Sequence, residues 1–311
     1  VIAEFQGRRI LVAGAGGFLG RALIKRLAQA GAEVLAVSRA SQSAAFDGVR
    51  WRRADMKDLA AVRAVFSEIA PDIVYQLCGH PDGSRDPGLV LPTLESDILT
   101  TVNLLLTAVE NPVKRFITTA SLEEPVPGEP ATSPYAVAKM SSVAYARMFH
   151  LLYQVPVVIL RPFMTYGPGQ PETKVVSHIA QSLLKGQSPK LSSGQRMVDW
   201  VYIDDVMDGF LAAAAAAGVE GATFDLGTGE LLSIREVAMR LADLADSGGR
   251  LAFGALPDRP FERVRVADTE TAKLRLGWQA KVSLDEGLRL TVDWWKRQIA
   301  AEISPSCYHS D

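Results

Sequence analysis

The sequence predicts an α/β protein: a doubly wound parallel-sheet domain followed by a smaller, discontinuous and mostly helical C-terminal domain. Three observations carry this reading. Short, near-continuously apolar runs (ILVA, VLAV, IVYQL, VVIL) alternate with longer stretches of helical character, as happens when helices cover both faces of a parallel sheet. Four glycines fall within GAGGFLG at 14–20, directly after the first apolar run. The alternation then stops after Arg161, at a Gly/Pro-rich joint running from Tyr166 to Pro171.

Taken in order, the apolar runs place strands at 9–13, 33–38, 49–52, 72–77, 113–119 and 156–161. Between them, helical spacing places helices at 18–30, 59–69, 92–110 and 134–153. Beyond the joint come a helix, a polar segment LSSGQRMVDW, an alanine-rich helix at 204–217 and one strand at 223–226 that returns to the sheet. The remainder reads as mostly helical, with loops at 254–259 and 280–283. The alanine run at 212–217 is a good helix former and needs no other explanation.

Composition narrows the class. The chain has 311 residues, 48% hydrophobic and 22% charged, with a net charge of −2. Those values suit a soluble globular enzyme and supply no basic field for nucleic acid or an anionic membrane. Cys78 and Cys307 are far apart and form neither a zinc spacing nor a disulfide framework, so the expectation is a reducing cytoplasm and no metal site. The expectation is that no apolar stretch reaches a membrane-spanning length, that the opening VIAEFQGRR lacks the order of a signal peptide, and that the closing CYHSD is a frayed tail.

The glycine loop has a specific use. Gly14 permits a tight turn after the strand, Gly16 and Gly17 let backbone approach a pyrophosphate, and Gly20 lets the helix pack closely on the strand. The N–H groups at the start of the helix, around Phe18 and Leu19, then face the phosphates. A plain glycine-rich turn is the alternative, but strand, loop and helix in this order point to a dinucleotide. The second strand ends in Ser38 and Arg39 rather than in an acid that would bind a ribose 2′-hydroxyl. Serine and arginine suit a 2′-phosphate, so NADP is favoured, with NAD possible. The expected division is a dinucleotide-binding domain at 1–165 with about 199–228, and a substrate-binding domain at 166–198 with about 229–311.

A second constellation follows. Tyr135 and Lys139 in PYAVAK are four residues apart at a helix start and share a face. A nearby ammonium favours the phenolate of a tyrosine, and a tyrosine so tuned serves as proton donor to a sugar ketone being reduced. Ser121 ends the fifth strand in FITTASLEE, at the carboxyl edge where ligands of such sheets bind. Thr118 and Thr119 read as ordinary β-branched strand residues.

These stretches, together with DILTTVNLL, RPFMTYGPGQ, SGQRMVDWVYIDDV and FDLGTGE, resemble the extended short-chain dehydrogenase/reductases of the NAD(P)-dependent sugar epimerase/dehydratase family. The resemblance covers essentially the whole chain. It implies a catalytic triad of Ser121, Tyr135 and Lys139, and puts Asp55 and Met56 near the adenine. The expected cofactor-binding set is completed by Leu77, Cys78 and Gly79 at the end of the fourth strand and by Pro162 after the sixth. It implies a nucleotide-sugar substrate, with Arg196 and Arg259 facing the diphosphate and with Ser121, Glu123 and Met164 also on the substrate side. It also implies a homodimer through two helices, on which Ile98, Val102, Leu105 and Val109, and Val143, Met148, Leu151 and Leu152, form the apolar faces.

The chain departs from the family pattern in three places. Ala13 replaces the threonine usual before the first glycine, Met164 stands where asparagine is common, and the stretch from Ser121 to Tyr135 is short and lacks the tyrosine-glycine that usually follows the serine. Several reactions remain open. The main expectation is NADPH-dependent reduction of a nucleotide-activated 4-keto-6-deoxy sugar, because Arg39 suits a consumed reductant. A 4-epimerase with tightly held cofactor and a 4,6-dehydratase using Glu123 are the alternatives. A carbonyl reductase or lactone-forming enzyme on a non-nucleotide substrate, and an NADP-sensing regulator on the same fold, complete the set.

Overall fold

The computed structural model describes residues 2–40, 46–126, 128–246 and 250–303; Cys307 and the closing CYHSD lie outside them. Ten strands run in chain order: β1 (Arg9–Ala13), β2 (Glu33–Ser38), β3 (Val49–Arg53), β4 (Ile73–Gln76), β5 (Arg115–Thr119), β6 (Val157–Pro162), β7 (Met164–Tyr166), β8 (Met197–Tyr202), β9 (Thr223–Leu226) and β10 (Leu231–Ser233). The helices are α1 (Phe18–Gln29), α2 (Leu59–Ile69), α3 (Val90–Thr93), α4 (Thr100–Glu110), α5 (Pro134–Tyr153), α6 (Val175–Leu184), α7 (Ile203–Ala215), α8 (Ile234–Ala245), α9 (Thr269–Leu276) and α10 (Leu284–Ile303).

The chain divides into two compact units. The first takes the residues up to Phe163, then Val206–Leu226 and Asp268–Gln279. Its seven-stranded sheet has the order β3-β2-β1-β4-β5-β6-β9, and every pairing is parallel. The apolar runs read from the sequence form this sheet because both faces are covered: Ile10, Leu11, Val12 and Ala13 are all fully buried. The strand order reverses between β1 and β4, and in such sheets ligands settle at the carboxyl ends beside that reversal. Local chemistry sets the helix starts. Asp58 caps α2 by accepting from Ala60 N–H, and Ser133 caps α5 by accepting from Ala136 N–H.

Helix α3 leads through a π-helical turn at Leu94–Leu99 into α4. This helical run, Pro87–Glu110, is long and apolar enough to cross a membrane by length and composition, which corrects the expectation that no stretch reaches that length. Its polar inner face shows what it does here. Thr93, Asp97, Thr100, Thr101, Asn103 and Thr107 are buried, and the Asn103 amide donates to the carbonyls of Met56 and Lys57. The run is a core helix of the first unit, packed against α2 and α5.

The second unit takes Met164–Asp205, Gly227–Ala267 and the residues from Ala280 onward. It carries α6, α8 and α10 around a three-stranded sheet of order β10-β8-β7, so it is less purely helical than expected. The segment LSSGQRMVDW, expected to be polar, runs into β8, which carries Asp199. That carboxylate is buried and accepts from the backbone N–H groups of Thr228, Gly229 and Ala267, which satisfies it inside a strand. The division also differs from the expected one. Strand β8 belongs to the small sheet, and Asp268–Gln279 returns to the first unit, where α9 packs on β9.

Candidate dinucleotide and catalytic site

The glycine loop joins β1 to α1 in the first unit. Gly14 has φ +83°, and a Cβ there would lie 2.5 Å from the Leu77 carbonyl carbon. A Cβ at Gly20 would lie 2.4 Å from the Gly14 carbonyl oxygen. Backbone thus fills both places where a side chain would stand, and only glycine lets α1 start this close to β1 and β4. Gly17 is the N-cap of α1 and no side chain caps the helix, so Phe18 and Leu19 begin a first turn suited to phosphate. The Gly16 carbonyl accepts from Arg21 Nε. The residues present fit a dinucleotide.

At the carboxyl end of β2, the Ser38 hydroxyl accepts from Ala40 N–H at 3.3 Å and the Arg39 side chain is exposed. Arg53 is in register with Ser38 across β3, and its Nε donates to the Arg39 carbonyl at 3.2 Å. A second cation therefore stands at this edge, which the sequence reading missed. Asp55 accepts from Lys57 N–H at 3.1 Å, and Met56 is buried. After β4, Cys78 N–H donates to Gln76 Oε1, and burial pushes the Cys78 thiol up to about 12, with Asp97 adding to the effect. A Cβ at Gly79 would lie 2.7 Å from Asp97 Oδ1, so glycine makes room for that carboxylate. Pro162 ends β6 at the same edge of the sheet.

Tyr135 and Lys139 lie on the first turns of α5. Lys139 is buried; its Nζ donates to Thr119 Oγ1 at 3.0 Å, lies 3.2 Å from Asp97 Oδ1, and sits 6.0 Å from the centre of the Tyr135 ring. The Ser121 hydroxyl accepts from Glu123 N–H at 3.1 Å. Burial pushes the Tyr135 phenol above the usual tyrosine range. Lys139 pulls it back, and Ser121 in part, while Asp97 and Glu123 push it up again. For Lys139, burial works against the charged form, but Asp97 and Tyr135 outweigh it and the ammonium is held above its ordinary value.

The turn after β5 is pinned from beneath. Ser121 N–H donates to Glu124 Oε1 at 2.9 Å, and Glu124 is ion-paired with Arg161 of β6, which also binds Asp225 of β9. All three charged side chains are at most 12% exposed. Glu123 is partly buried, and a Cβ on Gly83 would lie 2.6 Å from its carboxylate. The structure thus brings Ser121, Glu123, Tyr135 and Lys139 together. Asp97, Thr119, Glu124 and Arg161 joined them unforeseen: Thr119 read as an ordinary strand residue, and Asp97 lay unremarked in an apolar helical pattern.

The second unit holds the remaining candidates. Met164 lies on β7, in register with Trp200. Arg196 is ion-paired with Glu262 at 3.0 Å, and its Nε is buried without a hydrogen-bond partner. Arg259 is exposed. Among the described residues no group of three or more His, Cys, Asp or Glu is arranged to hold a metal ion.

Comparison with known proteins places this geometry. Residues 10–227 match the model of the NAD dependent epimerase/dehydratase family. The chain belongs to that family. It is 30% identical to the UDP-glucose 4-epimerase of Mycolicibacterium smegmatis, over 93% of this chain and 99% of that one. It is 29% identical to a probable dTDP-glucose 4,6-dehydratase of Sinorhizobium fredii, over 92% of each chain. Among solved structures it is similar to the Bordetella bronchiseptica enzyme WbmF in complex with NAD+ and UDP: TM-score 0.83, 28% identity, and 96% of this chain and 95% of that one covered. The chain is thus an enzyme of an NAD(P)-dependent family, on the fold read from its sequence. The family members that it matches carry epimerase and dehydratase names, which favours the alternatives over the expected ketoreductase.

Proposed function

We propose that this protein is a nucleotide-sugar 4-epimerase. The observation that carries the reading is the Ser121–Tyr135–Lys139 constellation at the same sheet edge as the glycine loop, in a chain similar along nearly its whole length to a UDP-glucose 4-epimerase. A nicotinamide dinucleotide held by Gly14, Gly16, Gly17 and Gly20 supplies a hydride acceptor and donor when bound. The chain's own residues manage the proton. Ser121 hydrogen-bonds the sugar 4-oxygen and sets it against Tyr135. Tyr135 takes the hydroxyl proton as the carbon is oxidised, and returns one when the 4-keto sugar is reduced on its other face. Lys139 fixes the phenol and presents its ammonium to a ribose hydroxyl. Arg196 and Arg259 are assigned to the diphosphate, whose oxygens suit guanidinium donors.

Three finer assignments go with this. Arg39, with Arg53 beside it, favours a 2′-phosphate and hence NADP(H), although WbmF was solved with NAD+. Two copies associate through the helices that include α4 and α5. Here the structure corrects the expected faces. Leu105 and Val143 are core residues, whereas Val109, Leu151 and Leu152 of the expected set are exposed, with Leu99, Leu106, Val137, Met140 and Tyr145 exposed beside them. The setting is a reducing cytoplasm, which suits a nucleotide-sugar and nicotinamide enzyme.

A 4,6-dehydratase is the second reading, supported by one observation: Glu123 sits where its charge is felt at the Tyr135 phenol. A carboxylate there suits the removal of a proton during elimination. One panel tests both. Purified protein is given UDP-glucose, UDP-galactose, dTDP-glucose and a nucleotide 4-keto-6-deoxy sugar, with NAD+ or NADPH, and products are assigned by NMR. Interconversion of the 4-epimers without net cofactor consumption is expected. A 4-keto-6-deoxy product lost in Glu123→Gln establishes the dehydratase, and stoichiometric NADPH consumption establishes the ketoreductase.

A further inference from the structure

Lys139 is the only charge on α5 near Tyr135 that favours the phenolate, and it does not act alone. Asp97 lies in the π-helical turn Leu94–Leu99, and its side chain is fully buried. Its Oδ2 accepts from His80 N–H at 2.9 Å and from Ser96 Oγ at 3.1 Å. Its Oδ1 has no hydrogen-bond partner and meets the Lys139 ammonium at 3.2 Å. Gly79 has no Cβ where the carboxylate stands.

We infer that Asp97 is a positioning residue that clamps the Lys139 ammonium and cancels its charge toward Tyr135, so that the resting site keeps its phenol protonated. The inference rests on the functional reading of Tyr135 as the proton-transfer group and adds to it. The geometry supports it twice over. An ammonium has three N–H donors; Thr119 takes one, and the Asp97 carboxylate holds the group by charge at 3.2 Å. Asp97 and Lys139 also form a one-to-one buried pair whose charges sum to zero. The other groups around Tyr135 do not restore a positive field. Glu123 and Glu124 come from the turn after β5, and Arg161 of β6 is shared between Glu124 and Asp225. The Cys78 thiol after β4 is held neutral by burial. The directions found at Tyr135 and Lys139, both above their ordinary values, agree with this arrangement.

The test is Asp97→Asn, which keeps the shape and the oxygen acceptor and removes only the charge. Tyrosinate absorbance is followed against pH in the variant and wild type, each corrected by its Tyr135→Phe counterpart, and the Lys139 side chain is followed by NMR. The first proton to leave the Tyr135–Lys139 pair is expected to leave at lower pH in the variant, and the alkaline limb of the turnover profile is expected to move the same way. If neither the tyrosinate nor the Lys139 transition moves down in a folded variant, the inference is overturned. Should Asp97→Asn fail to fold, wild-type Lys139 decides alone. An ammonium that persists through the ordinary lysine range supports the clamp, and one that titrates below that range overturns it. A shifted transition in a protein that turns over no nucleotide sugar leaves the clamp standing and removes the functional reading. Turnover with an unshifted transition does the reverse.

Discussion

The two ends of the large sheet handle charge in opposite ways. At the amino end, just before β4, Asp72 accepts from the Arg9 N–H and Nε and is ion-paired with Lys114 at 3.0 Å. Its carbonyl accepts from Lys114 N–H, so one residue ties the starts of β1, β4 and β5. Two cations serve one carboxylate there, and both cations are largely exposed. At the carboxyl end the order is reversed: Asp97, Lys139, Glu124, Arg161 and Asp225 are buried, and the carboxylates outnumber the cations. Burying charge is costly and breaking a buried pair more so, whereas exposed pairs are cheap and weak. The amino end is arranged for stability. On the proposed function, the carboxyl end tolerates an expensive arrangement because proton transfer needs charges held still and out of water.

The largest effect expected from breaking this contrast is chemical. Tyr135→Phe keeps the ring and removes only the exchangeable proton, so cofactor binding should hardly change. Turnover should fall by about 10²–10⁴-fold, the usual worth of general acid–base catalysis. Steady-state rates beside cofactor titration check it, and full activity in the variant would remove the catalytic end from the proposal.

The sequence exposed the strands of the sheet well, the carboxyl end only in part, and the charges at the amino end not at all. Strands such as β1, β2 and β9 match the expected spans because buried parallel strands are apolar without interruption. The glycine loop and Tyr135–Lys139 were legible because backbone sterics and helical spacing act over a few residues. Asp97, Thr119 and Arg161 were not, because they meet their partners across 20 to 64 residues of sequence, where no local period reaches. Strand β8 was missed for a related reason: Asp199 breaks the apolar pattern and is satisfied by N–H groups from distant loops.

Next in size is the network beneath Ser121. Arg161→Leu leaves Glu124 and Asp225 buried without their cation, a change that costs about 3–5 kcal/mol in comparable buried pairs. Urea denaturation should show the loss, and Ser121 should lose its fixed place, lowering turnover in whatever protein remains folded. A variant as stable as wild type would show that the buried charges at this edge are not coupled.

Smaller still is the effect at the exposed margin of the carboxyl end. Arg39→Ala should weaken NADP(H) by about 1.5–3 kcal/mol, the range for a charge-assisted hydrogen bond, and leave NAD(H) unchanged. Isothermal titration with both cofactors measures it. Equal loss for both, or an original preference for NAD(H), would separate Arg39 from the 2′-position. Arg53→Ala sharpens the point: it removes the donor to the Arg39 carbonyl and should reduce the same preference in part.

The smallest effect belongs to the amino end. Burial pushes the Asp72 carboxyl upward, but Lys114 and Arg9 prevail and hold it at about 2, below the roughly 3.9 of an unfolded aspartate. A carboxyl depressed on folding stabilises the native state above the unfolded value, and loses that contribution as pH falls through the folded one. Asp72→Asn keeps an oxygen acceptor for the Arg9 N–H and removes the charge. Because Arg9 and Lys114 are exposed, the full linkage value is screened, and a cost of about 1–2 kcal/mol at neutral pH is expected. Wild type and variant should converge as the pH drops from 4 toward about 2, and added salt should narrow the gap at neutral pH. A gap that is constant with pH would mean that Asp72 ties the three strands through its shape and its backbone carbonyl rather than its charge. The contrast between the two ends of the sheet would then rest on the carboxyl end alone.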